Sequence, residues 1–322
     1  MIKKTEKEIM KNWEGDPYNP IVSICCTTYN HQNYIAEALD SFLMQETNFV
    51  FEIIVRDDAS TDKTAHIIRE YEKNYPNIIK PIYEKENGYQ KGIRPMPVTF
   101  TKAKGKYIAL CEGDDYWTSS QKLALQIKFL EKNIDYAGIA HQCSIIDENG
   151  KIKRMFYRRN IKEVLRSADF LSEPPFQTAT FMFRTSYLEK YPLSHKFYSG
   201  DKFLFSFISI FGKVKYNSQV LSCYRQHEQG ISHGVDYQKF VDDIHIPYIL
   251  YSIDKKYPKY KHLAYIHLSM LILTKNIRYW SSIKHGVLAT LYSFSYVPKN
   301  YAFLKSVFYH LLLRTKCHIL QD

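Results

Sequence analysis

Apolar residues in the first part of the chain follow two alternating periods. Short runs of strand character, "IVSICCT", "FEIIVRD", "IIKPIYE" and "KYIALCE", are separated by stretches in which apolar positions recur at helical spacing. In "NYIAEALDSFLMQ", Tyr34, Ile35, Ala38, Leu39, Phe42 and Leu43 share one helix face, and "TAHIIREYEKNY" repeats the pattern. Such alternation predicts an α/β fold built on a Rossmann-like, mostly parallel, doubly wound sheet. A loop rich in Gly and Pro, "ENGYQKGIRPMP", and a short helix precede the fourth run.

Beyond the fourth run, Thr118, Ser119 or Ser120 can cap a helix reaching about Lys132, and "AGIAHQCSII" with the turn "DENGK" reads as a strand. "QTATFMF", "KVKYN" and "QVLSCYR" read as further strands, and "GDKFLFSFISIFG" as an aromatic-rich helix. The last eighty or so residues turn helical, with "HLAYIHLSMLILTKNIRYW" and "YAFLKSVFYHLLLRTK" rich in Tyr, Leu and Lys. The expected division is an N-terminal extension over 1–19, a sheet domain over 20–235 and a helical, basic and aromatic region over 236–322.

Composition narrows the class. With 322 residues, 45% hydrophobic and 24% charged, the chain is globular rather than disordered. Its six cysteines show no CxxC pairing or zinc spacing and several lie inside apolar runs, which reads as reduced, buried thiols. "MIKKTEKEIMKNWEGD" lacks the apolar core of a signal peptide, and no apolar run reaches the ~18 residues of a spanning helix. A cytoplasmic protein is expected. The net charge of +11 asks for an anionic partner. From 240 to 322 there are eleven Lys and Arg against four Asp and Glu. Two readings stand side by side: a helical subdomain packed on the sheet domain, or a face resting peripherally on the anionic inner leaflet of the cell membrane. Nucleic acid is not expected as a partner, because the basic residues form no recognition motif.

In open α/β sheets ligands bind beyond the carboxyl ends of the strands. Those ends carry Thr27, Thr28, Tyr29 and Asn30 after the first strand, Asp57 and Asp58 after the second, and Glu112, Asp114 and Asp115 after the fourth. Capping by Ser60 or Asp62 accounts for part of "DDASTD" but not for two carboxylates before the cap. In "EGDDYW" a glycine permits close backbone approach, two aromatics can wall a pocket, and the carboxylates suit Mn²⁺ or Mg²⁺ together with phosphate oxygens.

"VSICCTTYNHQNYIAEALDSFLMQE", "FEIIVRDDASTDKT", "AKGKYIALCEGDDYW", "SGDKFLF" and "YRQHEQGIS" together resemble the family 2 glycosyltransferases of the A-type fold, in particular bacterial enzymes of surface polysaccharide synthesis. The resemblance runs from about Ile21 to Ser232. It implies a nucleotide-diphosphate-sugar donor, such as a UDP-sugar, and inverting transfer to a hydroxyl of a saccharide or lipid-linked saccharide. By position, Thr27, Tyr29 and Asp58 would hold base and ribose, with Asp114 toward the ribose and Asp115 on the metal. Asp201 matches the catalytic base, and His227 is a candidate ligand or support at the metal. Lys91 and Arg94 offer charge to the donor, though their loop also fits a plain connection. Gln177 and Thr178 would face the acceptor. Ala59 departs from the pattern, which usually has glycine there.

Two other classes compete. A non-catalytic nucleotide- or carbohydrate-binding module is disfavoured by the retained Asp201. A nucleotidyltransferase would show a Gly-rich basic loop after the first strand, and "CTTYNHQNY" is not one.

Overall fold

The computed structural model describes residues 4–157, 161–172, 174–192, 199–228, 241–273 and 279–294, with the single positions 197, 230 and 307. The chain divides into two compact units. One comprises Met1–Leu165, Pro175–Lys196 and Phe211–Glu228, and the other Arg166–Pro174, Phe197–Ile210 and Gln229–Asp322.

The first unit is built on a ten-stranded sheet of order β3-β2-β1-β4-β9-β6-β10-β5, with β7 beside β6 and β8 beside β10. Its strands are β1 (Val22–Thr28), β2 (Phe51–Asp57), β3 (Ile79–Tyr83), β4 (Tyr107–Leu110), β5 (Tyr116–Trp117), β6 (Tyr136–Asp147), β7 (Ile152–Met155), β8 (Val164–Leu165), β9 (Met182–Arg184) and β10 (Lys213–Gln226). The run β3-β2-β1-β4 is parallel, as the alternation predicts. Beyond it β9 lies antiparallel between β4 and β6, and β10 is parallel to β6. "KVKYN" and "QVLSCYR" belong to one strand, β10, whose register shifts between Asn217 and Ser222. "QTATFMF" begins with a 3₁₀ turn over Thr178–Thr180 before β9.

The helices along this part of the chain are α1 (Glu6–Met10), α2 (Ile35–Leu43), α3 (Thr64–Asn74), α4 (Pro95–Phe100) and α5 (Lys122–Lys132), with α6 (Gly200–Phe211) falling almost wholly in the second unit. On α2 the predicted face is the buried one: Ile35, Ala38, Leu39, Phe42 and Leu43 join Val22, Ile24, Cys26, Ile53 and Val55 in a single core. Neither α3 nor α5 has a side-chain cap at its start. Ser60 instead bonds Asp57 and Asn30, while Asp62 takes the amide of Thr64. The five described cysteines are buried and free, in keeping with the reduced-thiol reading.

Chain order reverses between β1, followed by β2 on one side, and β4 on the other. That reversal makes the switch point at which open sheets leave a crevice. Gly113 draws the acidic loop tightly onto the end of β1: its N–H donates to Thr27 O at 2.9 Å. A Cβ here would stand 2.7 Å from Thr28 and 3.0 Å from Ile35. Any side chain would push the loop off the strand.

In the second unit α7 (Ile246–Ile253), α8 (Lys259–Leu273) and α9 (Tyr279–Phe294) come one after another. Ala264, Leu271, Ala289 and Val307 form a small core against Tyr265, Leu268 and Tyr292. Within it His267 and His285 meet through their Nδ1 atoms at 2.9 Å, and burial pushes His267 down to about 4. Among the described residues no helix is long and apolar enough to cross a membrane. The predicted helix "YAFLKSVFYHLLLRTK" falls, but for Val307, outside the described residues.

Candidate active site

At the switch point three side chains from distant parts of the chain converge. Asp114 Oδ2 accepts a hydrogen bond from His227 Nε2 at 3.0 Å and lies 3.8 Å from His31 Nε2. One donor atom from each of the three lies within 4.8 Å of the others. Ligands adjacent on an octahedral ion with bonds of about 2.1 Å stand about 3 Å apart, so the spacing fits a cation. Burial lowers the pKa of His31, with the Asp114 carboxylate opposing. Burial alone would raise that of Asp114. The hydrogen bond from His227 and the field of both imidazoles outweigh it and hold the carboxylate ionised.

Asp115 points elsewhere. It is 3% exposed, and its Oδ1 accepts the Arg225 amide at 2.8 Å. Burial, with Asp114 and Glu112 adding repulsion, raises its pKa well above the carboxylate range. The structure therefore joins Asp114, rather than Asp115, to His227. Consecutive residues in a turn face different ways, and the backbone tie to Arg225 decides which one turns inward.

Arg225 explains how the loop is held. Its Nε donates to Asp114 O at 3.1 Å, its Nη1 to Glu148 O at 3.1 Å, and its Nη2 to Glu37 at 2.5 Å. Its guanidinium also lies 4.7 Å from the Tyr34 ring centre. All of this fixes the acidic loop, the turn after β6 and the start of α2 to one another. Tyr34 in turn packs on His227, with ring centres 5.1 Å apart.

The remaining predicted residues of this unit surround the ends of β1 and β2. Thr27 is half-buried, and Tyr29 is 36% exposed. Asp58 is buried and accepts from Arg56 Nη2 at 2.6 Å and from the amides of Gly88 and Tyr89 at 2.9 and 3.0 Å. These bonds make it the anchor of the next loop, which ends at the half-buried Arg94, N-cap of α4. Lys91 of the same loop pairs with Glu86. Ala59 has φ 59°. A side chain in that left-handed conformation costs about 1 kcal/mol, a physical reason for glycine at this place in the resembled pattern. Asp201 belongs to the second unit, exposed in the first turn of α6, where its Oδ1 accepts the Lys202 amide at 2.7 Å.

Sequence reasoning missed His31 and the ties made by Arg225. The signal for His31 was present: "TTYNHQNY" puts an imidazole just past a strand end that carries other candidates.

Beneath the loop lies a second layer. Lys122 is fully buried, its Nζ 3.9 Å from the Trp117 ring centre and 2.9 Å from Gln126 Oε1. Trp117 Nε1 and Gln126 Nε2 donate to Ala179 O and Thr180 O, which clamps the turn before β9. Burial lowers Lys122 from 10.5 to about 7, against a small opposing effect of Cys111. The unfolded lysine keeps its proton to about pH 10.4. Between about pH 7 and about pH 10 the unfolded chain thus binds the extra proton, and stability rises with pH. Below about pH 7 both states are charged and the burial penalty stands in full. Lys122→Met removes it, so the stability of the variant minus that of wild type should be greatest near about pH 6 and shrink toward about pH 9.5. Urea unfolding across that range reads the slope, and a flat difference would mean that the amine stays charged against Trp117.

A family model described as Glycosyl transferase family 2 matches residues 23–192. An uncharacterized protein of Mycobacterium tuberculosis is 34% identical over 224 residues, 68% of this chain and 63% of that protein. The chain thus spans less than two thirds of that relative's length. An uncharacterized glycosyltransferase of a Nostoc species is 27% identical over 217 residues, covering 64% of this chain and 65% of that one. Among solved structures, TarS 1–349 of S. aureus in complex with UDP-GlcNAc superposes with a TM-score of 0.63 at 20% identity, over 83% of this chain and 80% of that one. The mannosyltransferase PcManGT of Pyrobaculum calidifontis, in complex with GDP-Man and Mn²⁺, gives 0.53 at 16% identity, over 96% and 90%. At such identities these likenesses bear on the fold.

Proposed function

The chain belongs to glycosyl transferase family 2, and on that premise we propose that it is a metal-dependent, inverting enzyme of surface polysaccharide synthesis. It moves a sugar from a nucleotide-diphosphate donor, a UDP-sugar, to a hydroxyl of a saccharide or lipid-linked saccharide. The observation that carries this reading is the convergence of Asp114, His31 and His227 at the switch point.

Asp114, His31 and His227 would hold the cation. Two imidazoles beside one carboxylate suit Mn²⁺ better than Mg²⁺, which prefers oxygen donors throughout. When bound, the ion offsets charge on the departing diphosphate. Asp115 serves the site from beneath, fixing the Arg225 backbone and so the direction of Asp114. Thr27 and Tyr29 flank the base and ribose, and Asp58 sets the loop that brings Arg94 to the donor.

Asp201 is the general base. It takes the proton of the acceptor hydroxyl as that oxygen bonds the anomeric carbon from the face opposite the diphosphate. The bond from carbon to phosphate oxygen breaks, and the nucleoside diphosphate leaves with its electron pair. Configuration is inverted because attack and departure lie on opposite faces.

The test is calorimetric titration of UDP, GDP and their sugar conjugates, with Mn²⁺ and with EDTA, alongside slow donor hydrolysis. Binding of a nucleoside diphosphate that EDTA abolishes is expected. Failure of every nucleotide to bind in Mn²⁺ removes the reading, and binding with no hydrolysis or transfer to any acceptor leaves the binding module in its place.

A further inference from the structure

We propose that the tyrosine and lysine face where α7 meets α8 docks the protein on an anionic lipid surface. Tyr248 and Tyr260 are each 47% exposed, with Lys255 and Lys256 exposed in the same stretch of chain. The Lys259 ammonium lies over three rings, 5.3 Å from the centre of Tyr248, 4.4 Å from Tyr251 and 4.6 Å from Tyr260. Lys255 adds a fourth contact, 4.7 Å from the Tyr251 ring. The rings hold the two ammoniums in place without neutralising them.

Charge at this face is not balanced from within. No ion pair of the described residues involves Lys255, Lys256 or Lys259. The nearby Asp254 uses its Oδ1 to accept the Lys256 amide at 2.9 Å. Lys259 stands in the first turn of α8, which carries no acid. Cations there oppose the helix dipole, so the arrangement costs stability in the isolated chain. A negative surface outside the protein reverses that sign. The region from 240 to 322, with eleven Lys and Arg against four Asp and Glu, has the same bias.

The residue types select lipid among anionic surfaces. A tyrosine ring with a polar tip and a lysine with a long apolar stem both settle between headgroups and acyl chains. Each lysine near an anionic leaflet strengthens association about fivefold. Docking stands independently of sugar transfer, since it needs neither donor nor cation.

Full-length protein is sedimented with vesicles of phosphatidylcholine alone and with phosphatidylglycerol added. Binding is expected only with phosphatidylglycerol, weakening as salt rises. Lys255→Gln with Lys256→Gln should weaken it about 25-fold, and adding Lys259→Gln about 100-fold. Tyr248→Ser with Tyr260→Ser should remove the part that survives high salt. Circular dichroism confirms the fold of each variant, and the milder double variant carries the test if the triple one unfolds. Equal binding to both vesicle types, or undiminished binding by the lysine variants, would overturn the proposal. Capture by soluble dextran sulfate with no binding to phosphatidylglycerol vesicles would overturn it in favour of an anionic polymer.

Discussion

Asp114→Asn is expected to lose Mn²⁺ binding and to lower turnover ~10²–10³-fold, the equivalent of several kcal/mol of charge stabilisation on the leaving diphosphate. The substitution is nearly isosteric, and its amide oxygen can still accept from His227, whose Nε2 lies 3.0 Å away. Folding should suffer little. The lowered pKa of Asp114 marks its charge as net stabilising, partly offset by its repulsion of buried Asp115, so the thermal midpoint in EDTA should fall only slightly. Asp115→Asn is the matched control. Its amide oxygen keeps the bond from the Arg225 N–H, and Mn²⁺ affinity should survive. If calorimetry finds the opposite pattern, with Asp115→Asn losing the metal and Asp114→Asn keeping it, the ligand assignment is wrong.

Asp201→Asn should cut transfer ~10²–10⁴-fold, the usual contribution of a positioned general base, while nucleotide affinity stays within about twofold of wild type. Lost stability cannot imitate this. Asparagine still accepts the Lys202 amide that Asp201 Oδ1 accepts now, and a first-turn carboxylate at an exposed helix end contributes at most about 1 kcal/mol. Single-turnover assays with saturating donor separate the two effects. A large fall in donor affinity, with the rate of the bound complex intact, would remove the base assignment.

Strand ends were the most legible part of the site. β1, β2 and β4 announce themselves as apolar runs, and the residues just past such a run in a doubly wound sheet face the crevice whatever their identity. Orientation within a turn was not legible. The two-residue period that governs a strand stops at Leu110, so nothing local distinguishes Asp114 from Asp115; the deciding tie comes from Arg225, 110 positions away. The role of Arg225 was not legible either, because a sequence cannot reveal that its donors go to Glu37, Asp114 and Glu148. Nor could a sequence show that Asp58 accepts from Arg56 and from the amides of Gly88 and Tyr89. Helix periodicity fared well on α2, where one face is buried. Capping was legible in part: Asp62 accepts the Thr64 amide, the first of α3, whereas Ser60 bonds Asp57 and Ser119 Oγ accepts the Gln121 amide ahead of α5.

The three members of the switch-point cluster also order events in the life of the chain. His31 comes after the first strand, Asp114 after the fourth, and His227 closes the tenth, 113 positions beyond Asp114. No contiguous fragment short of almost the whole sheet contains all three. A nascent chain emerging from the ribosome therefore cannot assemble the cluster until β10 has been made and has paired with β6, a contact of high sequence separation that forms slowly. A cation that bound there would recognise only finished sheets and would stabilise them by mass action, acting as a check on completion.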